Sequence, residues 1–86
     1  MPHSNNTIAQ RIIAMLEARA PSSSICPSEV ARALEREEGA WRALMPQVRE
    51  VAAGLQDDRQ VRITRGDESV SRETLHHGAI RIRRYV

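Results

Sequence analysis

The chain has 86 residues with no Phe, one Trp and one Tyr, so it describes one small domain whose core must be built from aliphatic side chains. A core of that size leaves no room for a deep substrate cleft, which counts against an enzyme and against a small-molecule substrate. The net charge is +2 with arginine as the sole strong base, and one cysteine excludes a disulfide framework within the chain.

Met1 to Asn6 is polar with nothing to bury, and is expected to be a flexible tail before a single domain at residues 7–86. Asn6 or Thr7 is placed to cap a first helix. Ile8, Ile12, Met15, Leu16 and Arg19 follow helical spacing, and Ile13 widens the apolar stripe. Ala20-Pro21 ends this helix, because proline disfavours helix at the residue before it. Ser22 to Ser24 reads as a loop and Ile25 as a very short strand. Cys26-Pro27-Ser28-Glu29 opens a second helix: proline is tolerated at the first helical position, and a first-turn carboxylate suits the helix dipole. Val30, Ala31 and Leu34 form its buried side. Gly39 is expected to stop it or turn the chain.

A third helix is expected from about Trp41 to Leu55, with Trp41, Leu44, Val48, Val51, Ala52 and Leu55 on one stripe. Trp41 is expected to anchor the core where this helix meets the first. Pro46 removes the bond to the Arg42 carbonyl and predicts a kink. Asp57 to Gln60 reads as a turn. Val61 to Arg65 alternates with period two, a strand. Arg65-Gly66-Asp67-Glu68 turns, Ser69 to Ser71 reads as a brief strand, and Arg72 to Gly78 as an irregular segment with room for one helical turn. Ala79 to Val86 alternates again as the last strand. Two helices joined by a short turn, preceded by a helix and followed by a hairpin, give a mainly α fold with a small β-hairpin (α+β). The expected architecture is a winged helix-turn-helix of three helices plus a short antiparallel sheet.

The run Ile25 to Leu34, with Cys26-Pro27-Ser28-Glu29-Val30-Ala31-Arg32, and the run Trp41-Arg42-Ala43-Leu44-Met45-Pro46-Gln47-Val48-Arg49 resemble the bacterial family known as domain of unknown function 3253. Gly78 to Arg83 resembles that family's ending. The resemblance covers about Ile8 to Arg83 and implies a winged-helix-like fold without a settled function. The chain departs from the pattern in an acidic tip, Arg65-Gly66-Asp67-Glu68, and in Ala79, where a proline is expected.

Residues 41–86 hold nine Arg against six acids (+3), whereas 1–40 hold four Arg against five Glu (−1). A basic second half points to nucleic acid. In a helix-turn-helix the second helix of the pair enters the major groove. Arg42 and Arg49, two turns apart and off the apolar stripe, are the sharpest candidates for that contact, with Gln47 between them. Arg62, Arg65, Arg72, Arg81, Arg83 and Arg84 would form a basic wing on the phosphates. The competing reading is a solvated strand face, where charge blunts an exposed edge. Cys26 at a helix start admits a reactive thiol, but no base or resolving cysteine accompanies it. His76-His77 with His3 lacks metal-ligand spacing. No catalytic residue, cofactor or metal is assigned. The expected function is non-catalytic binding of double-stranded DNA in the cytoplasm. The alternative is a protein–protein module or homodimer with the acidic Glu35–Glu38 turn at its interface. No segment reads as a membrane span or secretory signal.

Overall fold

A computed structural model describes residues 3–85. The elements in chain order are α1 (Asn5–Glu17), β1 (Ser24–Ile25), α2 (Pro27–Leu34), α3 (Glu38–Asp57), β2 (Val61–Arg65), β3 (Glu68–Ser69), a 3₁₀ turn (Arg72–Thr74) and β4 (Arg81–Arg84). Three helices pack on one antiparallel sheet of strand order β1-β4-β2-β3. The arrangement is winged-helix-like, as the hydrophobic spacing implies.

α1 begins at Asn5, inside the stretch expected to be a loose tail. Its cap is Ser4 rather than Asn6 or Thr7: the Ser4 Oγ accepts the Thr7 amide at 3.0 Å. Serine at this position satisfies one of the orphan donors of the first turn. His3 is fixed as well, its Nε2 lying 2.8 Å from Glu35 Oε2. The tail expectation for Met1 and Pro2 lies outside the described residues, as does Val86 of the expected last strand.

α2 starts as its sequence dictates, with Cys26 as an extended N-cap and Pro27 in the first turn. The break before α3 differs from expectation. Glu35 leaves the helix with extended backbone (φ −139°, ψ 131°), while Gly39 lies within the first turn of α3. The turn of the helix-turn-helix is therefore 35–37, and Gly39 is helical. α3 runs unbroken through Pro46. Pro46 is exposed, so water reaches the carbonyl that the missing N–H leaves without a helical donor.

The core lies between the helices and the inner sheet face. Ile8, Ile12 and Leu16 of α1, Val48, Val51 and Leu55 of α3, and Val61, Ile63 and Ile82 of the sheet belong to one buried cluster. Each such side chain, fully buried, contributes about 1.5–3 kcal/mol. Leu75 and Ile80 are also buried and anchor the long connection before β4. Trp41 is half-buried at the edge of this core rather than inside it. The Arg32 and Arg42 guanidiniums lie 4.5 and 4.9 Å from its ring centroid, so arginines of α2 and α3 both pack on it.

Strand register sets the two sheet faces. Val61 pairs with Arg84, Arg62 with Arg83, Ile63 with Ile82, and Thr64 with Arg81. Val61, Ile63 and Ile82 point into the core, so Arg62, Thr64, Arg81 and Arg83 point to the other face. Gln56 closes the junction of helix and sheet: its Oε1 accepts the Ile63 amide at 2.7 Å and its Nε2 donates to the Val70 carbonyl at 2.9 Å.

Candidate nucleic-acid interface

The three α3 candidates are each engaged within the chain. Arg42 is exposed, and its Nε donates to Glu38 Oε2 at 2.7 Å one helical turn away. Gln47 turns toward α1, where its Nε2 donates to the His3 carbonyl and to Asn5 Oδ1, both at 2.9 Å. Arg49 reaches across to the connection before β4, its Nη1 donating to the carbonyls of Leu75 (2.8 Å) and Gly78 (2.9 Å). Burial first, and the charge of Arg65 second, push the Arg49 guanidinium below its ordinary pKa. Arginine remains charged despite such a shift.

Arg65 works on the same segment as Arg49. Its Nη2 donates to the Thr74 carbonyl at 2.9 Å and its Nε to the Ala79 carbonyl at 3.3 Å. Two guanidiniums thus hold four carbonyls of residues 74–79. This is a structural requirement of an irregular segment, whose backbone acceptors have no ladder partner. Arg72 leaves the wing altogether. It lies between Asp57 (2.6 Å) and Glu50 (3.2 Å), and the hydrogen bond to Asp57, then its charge, raise the Arg72 pKa. Arg84 donates through Nη2 to the carbonyls of Leu16 (2.9 Å) and Arg19 (3.0 Å), capping the end of α1.

The remaining candidates share the outer sheet face. Arg81 stitches β4 to β1: its Nε donates to Ser24 Oγ at 2.8 Å, its Nη2 to the Ser24 carbonyl at 3.0 Å, and its Nη1 to Cys26 Sγ. The Cys26 thiol is thus a neighbour of Arg81, half-buried at the start of α2. Arg83 donates through Nε to Thr64 Oγ1 at 3.1 Å, and Arg62 through Nη2 to Ser69 Oγ at 3.0 Å. Arg62 and Arg83 are direct register partners. With Thr64, Gly66 and Asp67 they line a shallow cavity of about 310 Å³. Neither is in an ion pair among the described residues; Arg19, Arg42 and Arg72 are the arginines that are.

The structure therefore separates the seven residues that the sequence groups together. Arg62, Arg81 and Arg83 converge on one face. Arg49 and Arg65 converge beneath the wing, and Arg42 and Gln47 stand apart. The acidic turn is also divided: Glu35 meets His3 and Glu38 meets Arg42. Thr64 and Ser24, which orient Arg83 and Arg81, are the partners that sequence reasoning passes over. The alternation that places Arg62 outward places Thr64 outward too, and that signal was available. Among the described residues, no three His, Cys, Asp or Glu lie together as a metal-holding group. Among the described residues, no helix is long and apolar enough to cross a membrane.

Fold and site together define a small winged-helix-like domain with an arginine-bearing sheet face. The chain belongs to the family described as protein of unknown function (DUF3253), which it matches over residues 5–85. No curated protein matches it.

Proposed function

We propose that this domain is a non-catalytic cytoplasmic DNA-binding module that grips the phosphate backbone through the outer face of its sheet, with Arg62 and Arg83 as principal contacts and Arg81 behind them. The supporting observation is the direct pairing of Arg62 with Arg83 without a carboxylate partner among the described residues. Like charges directly opposite on a strand pair destabilise it by up to ~1 kcal/mol. An anion between them reverses that sign. Thr64 and Ser69 hold the two guanidiniums through one nitrogen each; Arg83 also commits Nη1 to the Ser22 carbonyl at 3.5 Å, and the other N–H donors are left for phosphate oxygens. Arg42 at the start of α3 is the remaining helical contact, and it must exchange Glu38 for a phosphate. Arg49 and Gln47 serve the fold.

Fluorescence anisotropy of a labelled random-sequence duplex, titrated at two salt concentrations, tests this reading. Micromolar binding that weakens with salt is expected. Arg62→Ala and Arg83→Ala should each flatten the log K against log salt slope by about 1, the value for one phosphate contact. Arg42→Ala should change it less. Absence of binding at low salt, or a slope that both sheet variants leave unchanged, would sink the proposal.

A further inference from the structure

The side of the molecule formed by α1 and α3 breaks several local rules at once. Three shallow cavities of about 420, 450 and 310 Å³ run into one another there. The first two share Ala9, Leu55 and Asp58, and the last two share Ile13, Glu17 and Gln60. They form one groove along the whole of α1, about 20 Å at 1.5 Å per residue, ending at Tyr85, an exposed large apolar side chain.

Gly54 lies in this groove, within α3. Glycine in a helix interior costs about 1 kcal/mol relative to alanine. Nothing inside the domain requires it, because a Cβ built at Gly54 meets no atom within 4 Å. The charges at the groove also run against the helices that carry them. Glu17 is the last residue of α1, Asp57 the last of α3 and Asp58 its C-cap, and neither helix has a basic residue in its last turn. A carboxylate at the negative end of a helix dipole is unfavourable by roughly 0.3–1 kcal/mol. Arg84 caps the α1 carbonyls and Arg72 takes Asp57 and Glu50. Glu17 and Asp58 have no ion-pair partner among the described residues. Asp57 is compensated by Arg72, but Gly54, Glu17 and Asp58 surrender local preferences with no gain inside the fold among the described residues, which points to a contact outside it.

We propose that this groove docks a basic amphipathic helix of a partner protein. Its apolar side would lie on Ala9, Ile13, Gly54 and Leu55, and its arginine or lysine side chains on Glu17 and Asp58. The absent side chain at Gly54 lets a second helix approach closely, and a groove of this length takes three to four helical turns. A second copy of this chain fits poorly. Two-fold pairing of the groove with itself sets Glu17 and Asp58 against like charges. Arg84 lines both the Tyr85 end of the groove and the cavity at Arg62 and Arg83, but its guanidinium is committed to the Leu16 and Arg19 carbonyls; the groove uses none of Arg62, Arg81 or Arg83, so its test and the test of DNA binding fail independently.

The probe is a labelled helical peptide of about 18 residues, long enough for the groove, with leucine and alanine on one side and arginine flanking them. Its counterpart carries glutamate in place of arginine. Anisotropy titrations against the whole chain should show the basic peptide binding at least about tenfold more tightly than the acidic one. Gly54→Leu should weaken the basic peptide about tenfold while the variant melts as a folded domain. Gly54→Ala should bind nearly as well as the parent. Amide shift changes should cluster on α1 and the second half of α3. Binding indifferent to Gly54→Leu, tighter binding of the acidic peptide, or no binding of either overturns the proposal. So does a concentration-dependent dimer in sedimentation equilibrium that Gly54→Leu abolishes, which would assign the groove to self-association.

Discussion

Replacing Arg49 by alanine separates a staple from a DNA contact. The side chain holds the carbonyls of Leu75 and Gly78 at 2.8 and 2.9 Å, and Leu75 is the buried anchor of its segment. A hydrogen bond from a charged donor contributes about 1.5–3 kcal/mol. The bond to Gly78 is exposed, so water takes over most of it, and loss of repulsion from Arg65 returns a little. The net cost is then about 2 kcal/mol. In a domain of this size that is a fall in Tm of roughly 8–16 °C. Urea denaturation followed by circular dichroism measures it, with hydrogen exchange at Ile63 and Val70 reporting on the wing. Arg49→Lys keeps the charge without the planar fork and should recover less than half of the loss. A stability change under about 0.5 kcal/mol, the level of an ordinary surface substitution, combined with loss of duplex binding, would refute the reasoning. Arg49 would then be a ligand-contacting residue after all.

Gln56→Leu removes both the acceptor for the Ile63 amide and the donor to the Val70 carbonyl, and should destabilise the domain by about 2 kcal/mol in urea melts. Gly66 turns the wing at φ +61°, so Gly66→Ala should cost about 1 kcal/mol although a Cβ there meets no atom within 4 Å. Gly54→Ala, in ordinary helical backbone, should instead raise stability by up to about 1 kcal/mol. Opposite signs at two equally open glycines would show that backbone conformation, not space, decides.

The elements were legible because their signals are local. The apolar spacing of Ile8, Ile12 and Leu16, the Cys26-Pro27 start and the alternation of Val61 to Arg65 each needed only their own neighbours. Local signals failed where two candidates competed within a few residues. Ser4 displaced Asn6 and Thr7 as cap, and Glu35 rather than Gly39 broke the helices apart. The candidate site was far less legible. Whether an arginine meets water, a carboxylate or a carbonyl depends on segments distant in the chain: Arg49 spans to Gly78 and Arg84 to Leu16. No periodicity encodes that reach. The Arg32 guanidinium over Trp41 is a case of the same reach, coming from another helix.

Counting cations therefore overstates what an arginine-rich domain offers to nucleic acid. A guanidinium that satisfies carbonyls keeps its charge but commits its donors, and moving Arg49, Arg65 or Arg84 onto a phosphate would leave backbone oxygens unpaired. A guanidinium paired with a carboxylate keeps its donors near the surface but is screened, as Arg42 and Arg72 are. Arg62 falls in neither class, and Arg83 commits only Nη1 to a carbonyl, in a long 3.5 Å bond to Ser22. Like charge on directly paired residues raises the free energy of the sheet, and in the proposed DNA contact a phosphate would relieve that cost. The same logic with the sign reversed applies to Glu17 and Asp58. The proposed DNA contact and the proposed helix contact would thus draw on unpaired charge of opposite sign, and long-range fields from the two surfaces would steer each partner to its own.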